Sequence, residues 1–337
     1  KLGCEEIFDM IRARWPETLF VSTADEGVGA LGRHIPNLEH VLSRAWTPAE
    51  LRLAAAAACR TFSLRRENER LSLEMRVRAP LRRADPVNND GLGFEAILRV
   101  PGSPMVAVIN SSRQYATFDI TVLLVGEPGT EKATLAEAIH LASLRSEKPF
   151  LSFDCSGLSV EAIATALFGT ARGCGTSSAA RAGVIRKADH GSLYLSGLET
   201  LSPEMQLRIL RLVRDGSYEQ LGSHDVHSSG ARFIFSATED PRQLVDRGAF
   251  RADLYFALSV AELHVPSLRE RRADLPLLAR SIAEDMGRLH SKGVRGISED
   301  ALCFMSGYAW PGNLRELENE ITRMLIHTQD PVLGADL

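Results

Sequence analysis

A short apolar strand that runs into a glycine-containing loop and then into a helix constrains this chain more than any other feature. The segment is VLLVGEPGTEKAT, residues 122–134. Loops that hold nucleotide phosphates follow the pattern G-x-x-x-x-G-K-[ST], because their backbone N–H groups curl round the β-phosphate while the lysine reaches the phosphates. Gly126 and Lys132 stand in register with that pattern. The segment therefore predicts the architecture of a nucleotide site, with an ordinary strand–turn–helix as the alternative.

Two departures from the phosphate-binding pattern alter the expected chemistry of this loop. Glu131 stands where the pattern has the glycine before the lysine, and Ala133 stands where it has the hydroxyl residue after the lysine. A glutamate there brings a carboxylate toward the position of a phosphate, and it adds a Cβ where the backbone often needs a positive φ. We therefore expect a loop with the architecture of a nucleotide site but with damaged chemistry.

Length and charge limit the classes of protein to which the chain can belong. Its 337 residues are enough for two domains or more, and 45% hydrophobic with 24% charged residues is the composition of a globular protein. The formal net charge of -4 is not that of a nucleic-acid-binding chain, so any DNA contact must be local or lie outside this chain. The sequence has no apolar run of about 18 residues and no signal peptide, so we expect a cytoplasmic protein without a membrane partner.

The cysteine pattern indicates a reducing compartment. The cysteines are scattered, without a CxxC pair or any other paired spacing. We therefore expect inert thiols, no zinc site and no other metal site. The five residues are Cys4, Cys59, Cys155, Cys174 and Cys303.

The first 52 residues alternate between helical and strand patterns. A helix is predicted over 5–15 and short strands over 18–23 and 40–43, and Thr47 with the proline after it begins the next helix. The order α, β, α, β, α is that of half a doubly wound sheet. This half resembles the C-terminal part of a response-regulator receiver domain, whose phospho-acceptor aspartate would precede the sequence. We therefore expect the sequence to be a piece of a longer protein.

A long helix is predicted over residues 53–77. Its apolar or small positions follow a 3,4,3,4 spacing that is typical of a short coiled-coil seam, and a single asparagine at an a position favours in-register pairing of two helices. We therefore expect a homodimer, or a higher oligomer, through this helix; an amphipathic helix packed on its own domain is the alternative. Residues 78–90 lack periodicity and are predicted to be a linker. The seam consists of Thr61, Leu64, Asn68, Leu71 and Met75.

From residue 91 the sequence predicts a second domain, of the α/β class. Strands alternate with helices over residues 91–271, which implies a parallel sheet covered on both faces. Over residues 272–337 the pattern is purely helical and indicates a small helical lid. The predicted strands are 122–125, 150–153, 192–195 and 232–236, with a turn-rich hairpin over 216–229, and the predicted helices are 105–115, 134–144, 160–168, 203–214, 275–290, 298–308 and 313–327.

Several stretches of this second domain occur in one order that is typical of a known family. They are VLLVGEPGTEK, ALFG (166–169), ADHGSLYL (188–195), FRADLYFAL (250–258), VPSLRERRADLPLLA (265–279) and WPGNLRELEN (310–319). The domain, from about residue 91 to 337, resembles the central AAA+ P-loop domain of NtrC-type regulators, which drive sigma-54 promoters in bacteria. The receiver-like half and the helix after it fit the same domain order. The family's DNA-binding helix-turn-helix is absent from this chain and would follow residue 337.

The resemblance assigns site residues by position. Nucleotide-binding residues of the family are kept, as vestiges, at Gly126, Gly129, Thr130, Lys132, Arg251 (one of two arginine fingers) and Arg315 (in the lid). The family's residue is replaced at Glu131, Ala133, Ser196, Gly197, Glu239 (the sensor asparagine) and Ala257 (the second finger).

The most consequential replacements follow the strand at 192–195. Ser196 and Gly197 stand where the family has an aspartate that orients Mg²⁺ and a glutamate that polarises the attacking water. Glu199 lies two residues beyond, and we expect that it does not substitute. The loop that contacts sigma-54, GAFTGA in the family, is replaced by the shorter TARGCGTSSAARA (170–182), which lacks the aromatic residue. The resemblance therefore implies a degenerate member, without catalytic residues and without GAFTGA.

Three functional readings follow. The leading one is a two-component transcription regulator whose AAA+ domain has lost ATP hydrolysis and sigma-54 contact and serves as an oligomerisation module, acting with a sigma-70-type polymerase. The second is an active sigma-54-dependent ATPase with unusual site residues, such as Glu199 or Glu239. The third is a nucleotide sensor that binds ADP or ATP without cleavage.

The leading reading also implies cofactors and partners. We expect no cofactor, and only weak binding of ATP or ADP, because Glu131 repels phosphates at close range. The expected partners are a second copy of the chain, RNA polymerase, a sensor histidine kinase, and DNA through a domain that is not in this chain.

Overall fold

The computed structural model describes residues 20–24, 38–43, 93–171, 180–290, 292–294, 296–328 and 332–334. The chain divides into two compact units, residues 1–78 and residues 79–337. In the first unit, β1 (Phe20–Ala24) pairs in parallel with β2 (Leu38–Ser43), which confirms both predicted strands with slightly different bounds. The predicted helix over 53–77 with its seam, and the linker after it, lie outside the described residues.

The second unit is built on a parallel sheet, as predicted. Its strands are β3 (Val122–Val125), β4 (Phe150–Asp154), β7 (Ser192–Ser196), β10 (Arg232–Ala237) and β11 (Glu262–His264), in the order β11-β3-β10-β7-β4. All four pairings between neighbours are parallel. β3 and β10 are buried along their whole length, since helices cover both faces. β11 is an edge strand that the sequence pattern did not predict, because three residues are too few to show a periodicity.

Seven helices lie around the sheet in the described residues, and three of them begin where the sequence places serine before a helical pattern. The seven helices are α1 (Pro104–Ala116), α2 (Lys132–Leu141), α3 (Val160–Phe168), α4 (Val184–Lys187), α5 (Pro203–Asp215), α6 (Pro241–Asp246) and α7 (Ala252–Leu258). The side chains of Ser103, Ser159 and Ser202 each accept a hydrogen bond from the first turn of the helix that follows. The predicted helices over 105–115, 160–168 and 203–214 are thereby confirmed to within one residue.

Two short hairpin-like pairs flank the sheet. β5 (Gly169–Thr170) pairs antiparallel with β6 (Arg181–Ala182). β8 (Ser217–Glu219) and β9 (Val226–Ser228) form the predicted hairpin. No helix in the described part of the chain is long and apolar enough to cross a bilayer.

The lid packs three helices around its own apolar core. They are α8 (Leu275–Leu289), α9 (Glu299–Gly307) and α10 (Asn313–His327). The expectation that this region is purely helical is wrong in one detail, because β12 (Gly296–Ile297) pairs in parallel with β13 (Val332–Leu333). Two-residue strands carry no period-two pattern, so the sequence gives no sign of them.

Candidate functional site

The loop after β3 has the strained backbone that a phosphate loop requires. Gly129 has φ 78°, and Glu131, the last residue before α2, has φ 61° and ψ 40°. The expectation of a positive φ at Glu131 is therefore confirmed, and a non-glycine residue there carries a conformational cost. The loop keeps its shape although the sequence has replaced the glycine that would favour it.

Lys132 is turned inward on this loop. Its side-chain nitrogen donates hydrogen bonds to the backbone oxygens of Gly126 (2.5 Å) and Glu127 (2.8 Å), and the residue is 8% exposed. Thr130 Oγ1 donates to the same Glu127 oxygen at 2.8 Å. Burial lowers the pKa of Lys132 to about 8, while the carboxylates of Glu199 and Glu127 oppose that shift. The lysine thus satisfies the loop's own carbonyl groups.

The Glu131 side chain lies at the wall of a cavity of about 420 Å³. The cavity is bounded by α2 and by lid helices α8 and α10. The charge of Glu131 acts on Arg271, whose pKa is lowered mainly by burial and is raised in part by Asp274 and Glu131. Ala133 packs against the core of the α/β domain and offers no hydroxyl group. The loop therefore has no side-chain oxygen at the position where the family pattern has one after the lysine.

The end of β7 carries no carboxylate. Ser196 is paired in register with Asp154 of β4, and Gly197 turns the chain with φ 76° into a 3-10 helix over Leu198–Thr200. A Cβ on Gly197 would lie 2.6 Å from Ser156 Oγ and 3.3 Å from Asp154 Oδ1. A residue with a side chain at this position would therefore need both a strained backbone and movement of Ser156.

Glu199 nevertheless lies at the site, a placement that the sequence supported only under the second functional reading. Its Oε1 accepts a hydrogen bond from Thr238 Oγ1, just beyond β10, at 2.5 Å. Its Oε2 is buried and has no hydrogen-bond partner within the described residues. The carboxylate acts electrostatically on Lys132. The turn at Gly197 thus brings an acidic group close enough to influence the lysine.

The remaining predicted site residues are Arg315, Arg251, Glu239 and Ala257. Arg315 lies beside the loop, since a Cβ on Gly129 would be 3.2 Å from the Arg315 Cβ. Arg251 forms a two-pronged ion pair with Asp253 of its own chain, at 2.9 and 2.7 Å. Glu239 is paired with Arg247 at 3.2 Å near the surface. The predicted replacement at Ala257 lies on α7, within the short helix that Arg251 precedes.

A direct connection between the loop and the lid is a further feature that the sequence did not indicate. Asn313, at the start of α10 with φ 53°, donates to the Pro128 oxygen (2.9 Å) and to Glu127 (3.1 Å), and its Oδ1 accepts from the Leu268 N–H (2.7 Å). Arg269 pairs with Glu127, which lowers the pKa of that carboxyl. The loop is therefore fastened to the lid by side chains from two lid segments.

The residues at the site do not fit Mg²⁺ in the way the resemblance implies. Neither Ala133 nor Gly197 offers an oxygen-bearing side chain, and Ser196 offers only a hydroxyl. Among the residues that the structure describes, no group of three or more His, Cys, Asp or Glu side chains is placed to hold a metal ion. The site therefore offers Mg²⁺ neither of the carboxylates that the resemblance implies.

The buried lysine predicts a pH dependence of stability. The pKa of Lys132 falls from 10.5 in the unfolded chain to about 8. Between these values the unfolded state binds more protons, so the lysine's contribution to stability rises with pH, by at most about 1.4 kcal/mol per pH unit. Below pH 8 both states are charged and the burial penalty is constant.

We expect the difference in unfolding free energy between wild type and Lys132→Met to shift in favour of wild type from pH 8 to pH 10. Urea denaturation at a series of pH values measures it. Lys148→Met, at an exposed lysine, is the matched control and should leave the pH profile unchanged. Parallel profiles for wild type and Lys132→Met would contradict the prediction.

Comparisons with known proteins agree with this architecture. Residues 100–264 match the family model described as the sigma-54 interaction domain, and residues 269–337 match the AAA+ ATPase lid domain. The hydrogenase transcriptional regulatory protein HoxA of Cupriavidus necator is 31% identical over 342 residues, covering 98% of this chain and 71% of the relative. The transcriptional regulatory protein ZraR of Escherichia coli is 38% identical over 212 residues, covering 63% of this chain and 48% of the relative.

Among solved structures, the crystal structure of NtrX from Brucella abortus in complex with ATP is similar over 100% of this chain and 70% of that chain. The TM-score is 0.66 and the sequence identity 26%.

Proposed function

The chain belongs to the family of transcriptional regulators that carry a sigma-54 interaction domain and an AAA+ lid, and from that premise we propose that its AAA+ domain has lost ATP hydrolysis and serves as a structural and oligomerising module. The regulator acts with a sigma-70-type RNA polymerase, since the segment at 170–182 lacks the GAFTGA motif. It is a homodimer or higher oligomer through the helix that the sequence predicts over 53–77. A sensor histidine kinase and DNA are its further partners.

The observation that carries the loss of hydrolysis is the end of β7. Phosphoryl transfer depends on positioning and on charge stabilisation by a metal and by a residue that orients water. Ser196 and Gly197 supply neither carboxylate, and the left-handed turn at Gly197 leaves room for a Cβ only if Ser156 moves. The binding of Lys132 to the loop's own carbonyls supports the same conclusion, because phosphates would have to displace those hydrogen bonds.

Phosphate release at saturating Mg²⁺ and ATP tests this proposal. We expect the purified chain to release phosphate no faster than Lys132→Ala, and Lys148→Ala, at an exposed lysine, to behave as wild type. Turnover in wild type and Lys148→Ala that disappears in Lys132→Ala would overturn the proposal. Light scattering with and without ATP measures assembly in the same samples, where we expect no change in mass.

A second candidate function rests on Glu199. Its buried, unpartnered Oε2 and its electrostatic effect on Lys132 favour an ATPase in which this residue supplies the missing carboxylate. Glu199→Gln separates the two candidates. In an active enzyme that relies on Glu199, this substitution abolishes turnover but preserves ADP binding, which calorimetry measures. If the domain is inactive, phosphate release stays at background in both proteins.

Calorimetry with ADP also addresses the nucleotide-sensor hypothesis. We propose weak or no binding of ADP or ATP, because Lys132 is already satisfied and Glu131 adds negative charge beside the loop. Tight binding of ADP to wild type without turnover would favour the sensor instead.

A further inference from the structure

The lid carries a second cavity, away from the phosphate loop. It has a volume of about 470 Å³ and lies between α9 and α10. Its floor contains the buried Trp310 and Met305, and its wall contains Met324 with two exposed aromatic side chains, Phe304 (78% exposed) and Tyr308 (50% exposed). We call this cavity the lid groove. Large exposed aromatic residues that line one concave surface are typical of a site that another molecule covers.

Two of the three aromatic side chains of the lid groove, Tyr308 and Trp310, are fixed in place. The rings of Tyr308 and Trp310 meet edge to face, with centroids 5.1 Å apart and an interplanar angle of 87°. Trp310 Nε1 donates to the Met305 oxygen at 2.8 Å, and the Tyr308 hydroxyl donates to Glu316 Oε1 at 3.2 Å. Little conformational entropy is therefore lost when a partner covers these rings, which favours their use as binding anchors.

Charge on the lid groove is negative. Glu316 and Glu320 line it, and the hydrogen bond from Tyr308 to Glu316 together with both carboxylates raises the pKa of that tyrosine. Glu320 is also within 3.0 Å of Arg323, but an ion pair this exposed is weak and can be exchanged for another cation. Carboxylates next to aromatic faces are the chemistry that binds arginine and lysine side chains.

We propose that the lid groove docks a basic amphipathic helix of a partner protein. A large apolar side chain of that helix covers Phe304 and fills the space above Trp310, and an arginine or lysine one turn away reaches Glu316 and Glu320. This inference goes beyond the proposed function and does not depend on it, because the lid groove shares no lining residue with the loop that holds Lys132.

Fluorescence anisotropy with two labelled peptides tests the proposal on the full chain. Both peptides are about five helical turns long with a leucine face; one has arginine and the other glutamate on the polar face. We expect the arginine peptide to bind wild type at least about tenfold more tightly than the glutamate peptide. Phe304→Ser should weaken arginine-peptide binding at least about tenfold. Glu320→Lys should weaken it by about fivefold and reduce its salt dependence.

Leu144→Ser is the matched control, since Leu144 is an exposed apolar residue (92%) on the α/β domain and outside the lid groove. Binding should be unchanged in this variant. Phe304 and Leu144 are exposed and Glu320 is half-buried, so none of the three variants is expected to lose its fold, and circular dichroism checks this. Equal binding of the two peptides, equal weakening by Phe304→Ser and Leu144→Ser, or a homodimer that Phe304→Ser dissociates would each overturn the proposal, the last in favour of a second copy of this chain.

Discussion

Replacing Asp274 by alanine is expected to lower the free energy of unfolding by about 3 to 5 kcal/mol. The carboxylate is fully buried, and its two oxygens accept hydrogen bonds from the Val100 N–H (2.8 Å) and from Ser103 Oγ (2.6 Å). Its charge also supports the buried Arg271, whose pKa is lowered by burial and raised by Asp274. Alanine leaves two donors unpaired, and it leaves only Glu131 to oppose the effect of burial on the Arg271 guanidinium.

Ser103→Ala is the matched variant for this prediction. It removes one of the same hydrogen bonds, together with the N-cap of α1, but leaves the charge of Asp274 in place, so we expect a cost of about 2 kcal/mol. Chemical denaturation followed by circular dichroism measures both. An Asp274→Ala variant no less stable than Ser103→Ala would show that the charge of Asp274 contributes nothing, against our expectation.

Gly129→Ala is expected to cost at least about 3 kcal/mol, because strain and steric overlap add. A Cβ at this position would lie 2.1 Å from the backbone oxygen of Gly312, and the backbone has φ 78°. A clash with backbone atoms cannot be relieved by rotating a side chain. The Leu314 N–H donates to the Gly129 oxygen at 3.0 Å, so separating the two segments also breaks this hydrogen bond.

Gly102→Ala separates the cost of backbone strain from the cost of steric overlap. Gly102 has φ 90°, but nothing lies within 4 Å of an added Cβ, so alanine there costs only the backbone strain, about 1 to 2 kcal/mol. We therefore expect Gly129→Ala to be clearly less stable and to show faster proteolysis between the α/β domain and the lid. Similar stabilities of the two variants would mean that separating the loop from the lid costs no free energy.

Much of the fold follows from local sequence pattern. Continuous apolar runs specify the buried strands β3 and β10, and a serine before each helical pattern specifies where α1, α3 and α5 begin. These signals are local, because burial on both faces and helix capping act within a few residues. The very short strands β11, β12 and β13 give no such signal and were not predicted.

Only part of the candidate site could be predicted from the sequence. The missing carboxylates at Ser196 and Gly197, and the intrusive Glu131, are identities at known positions relative to a recognisable loop, and they can be read from the sequence. Glu199 is different. Its contact with Thr238 joins residues 39 positions apart, and it depends on a glycine turn whose direction the sequence pattern does not give.

The sequence by itself determined the class of fold, the position of the phosphate loop and the residue types at the site positions, since these depend on residue type and short-range periodicity. Only the tertiary structure decided how the side chains are arranged there: Lys132 donates to its own loop, Glu199 lies close enough to act on it, and Asn313 of the lid donates to Pro128, 185 residues away. The physical reason is that hydrogen bonds and charge interactions act over distances in space. Contacts between residues that are far apart along the chain produce no periodic pattern in the sequence.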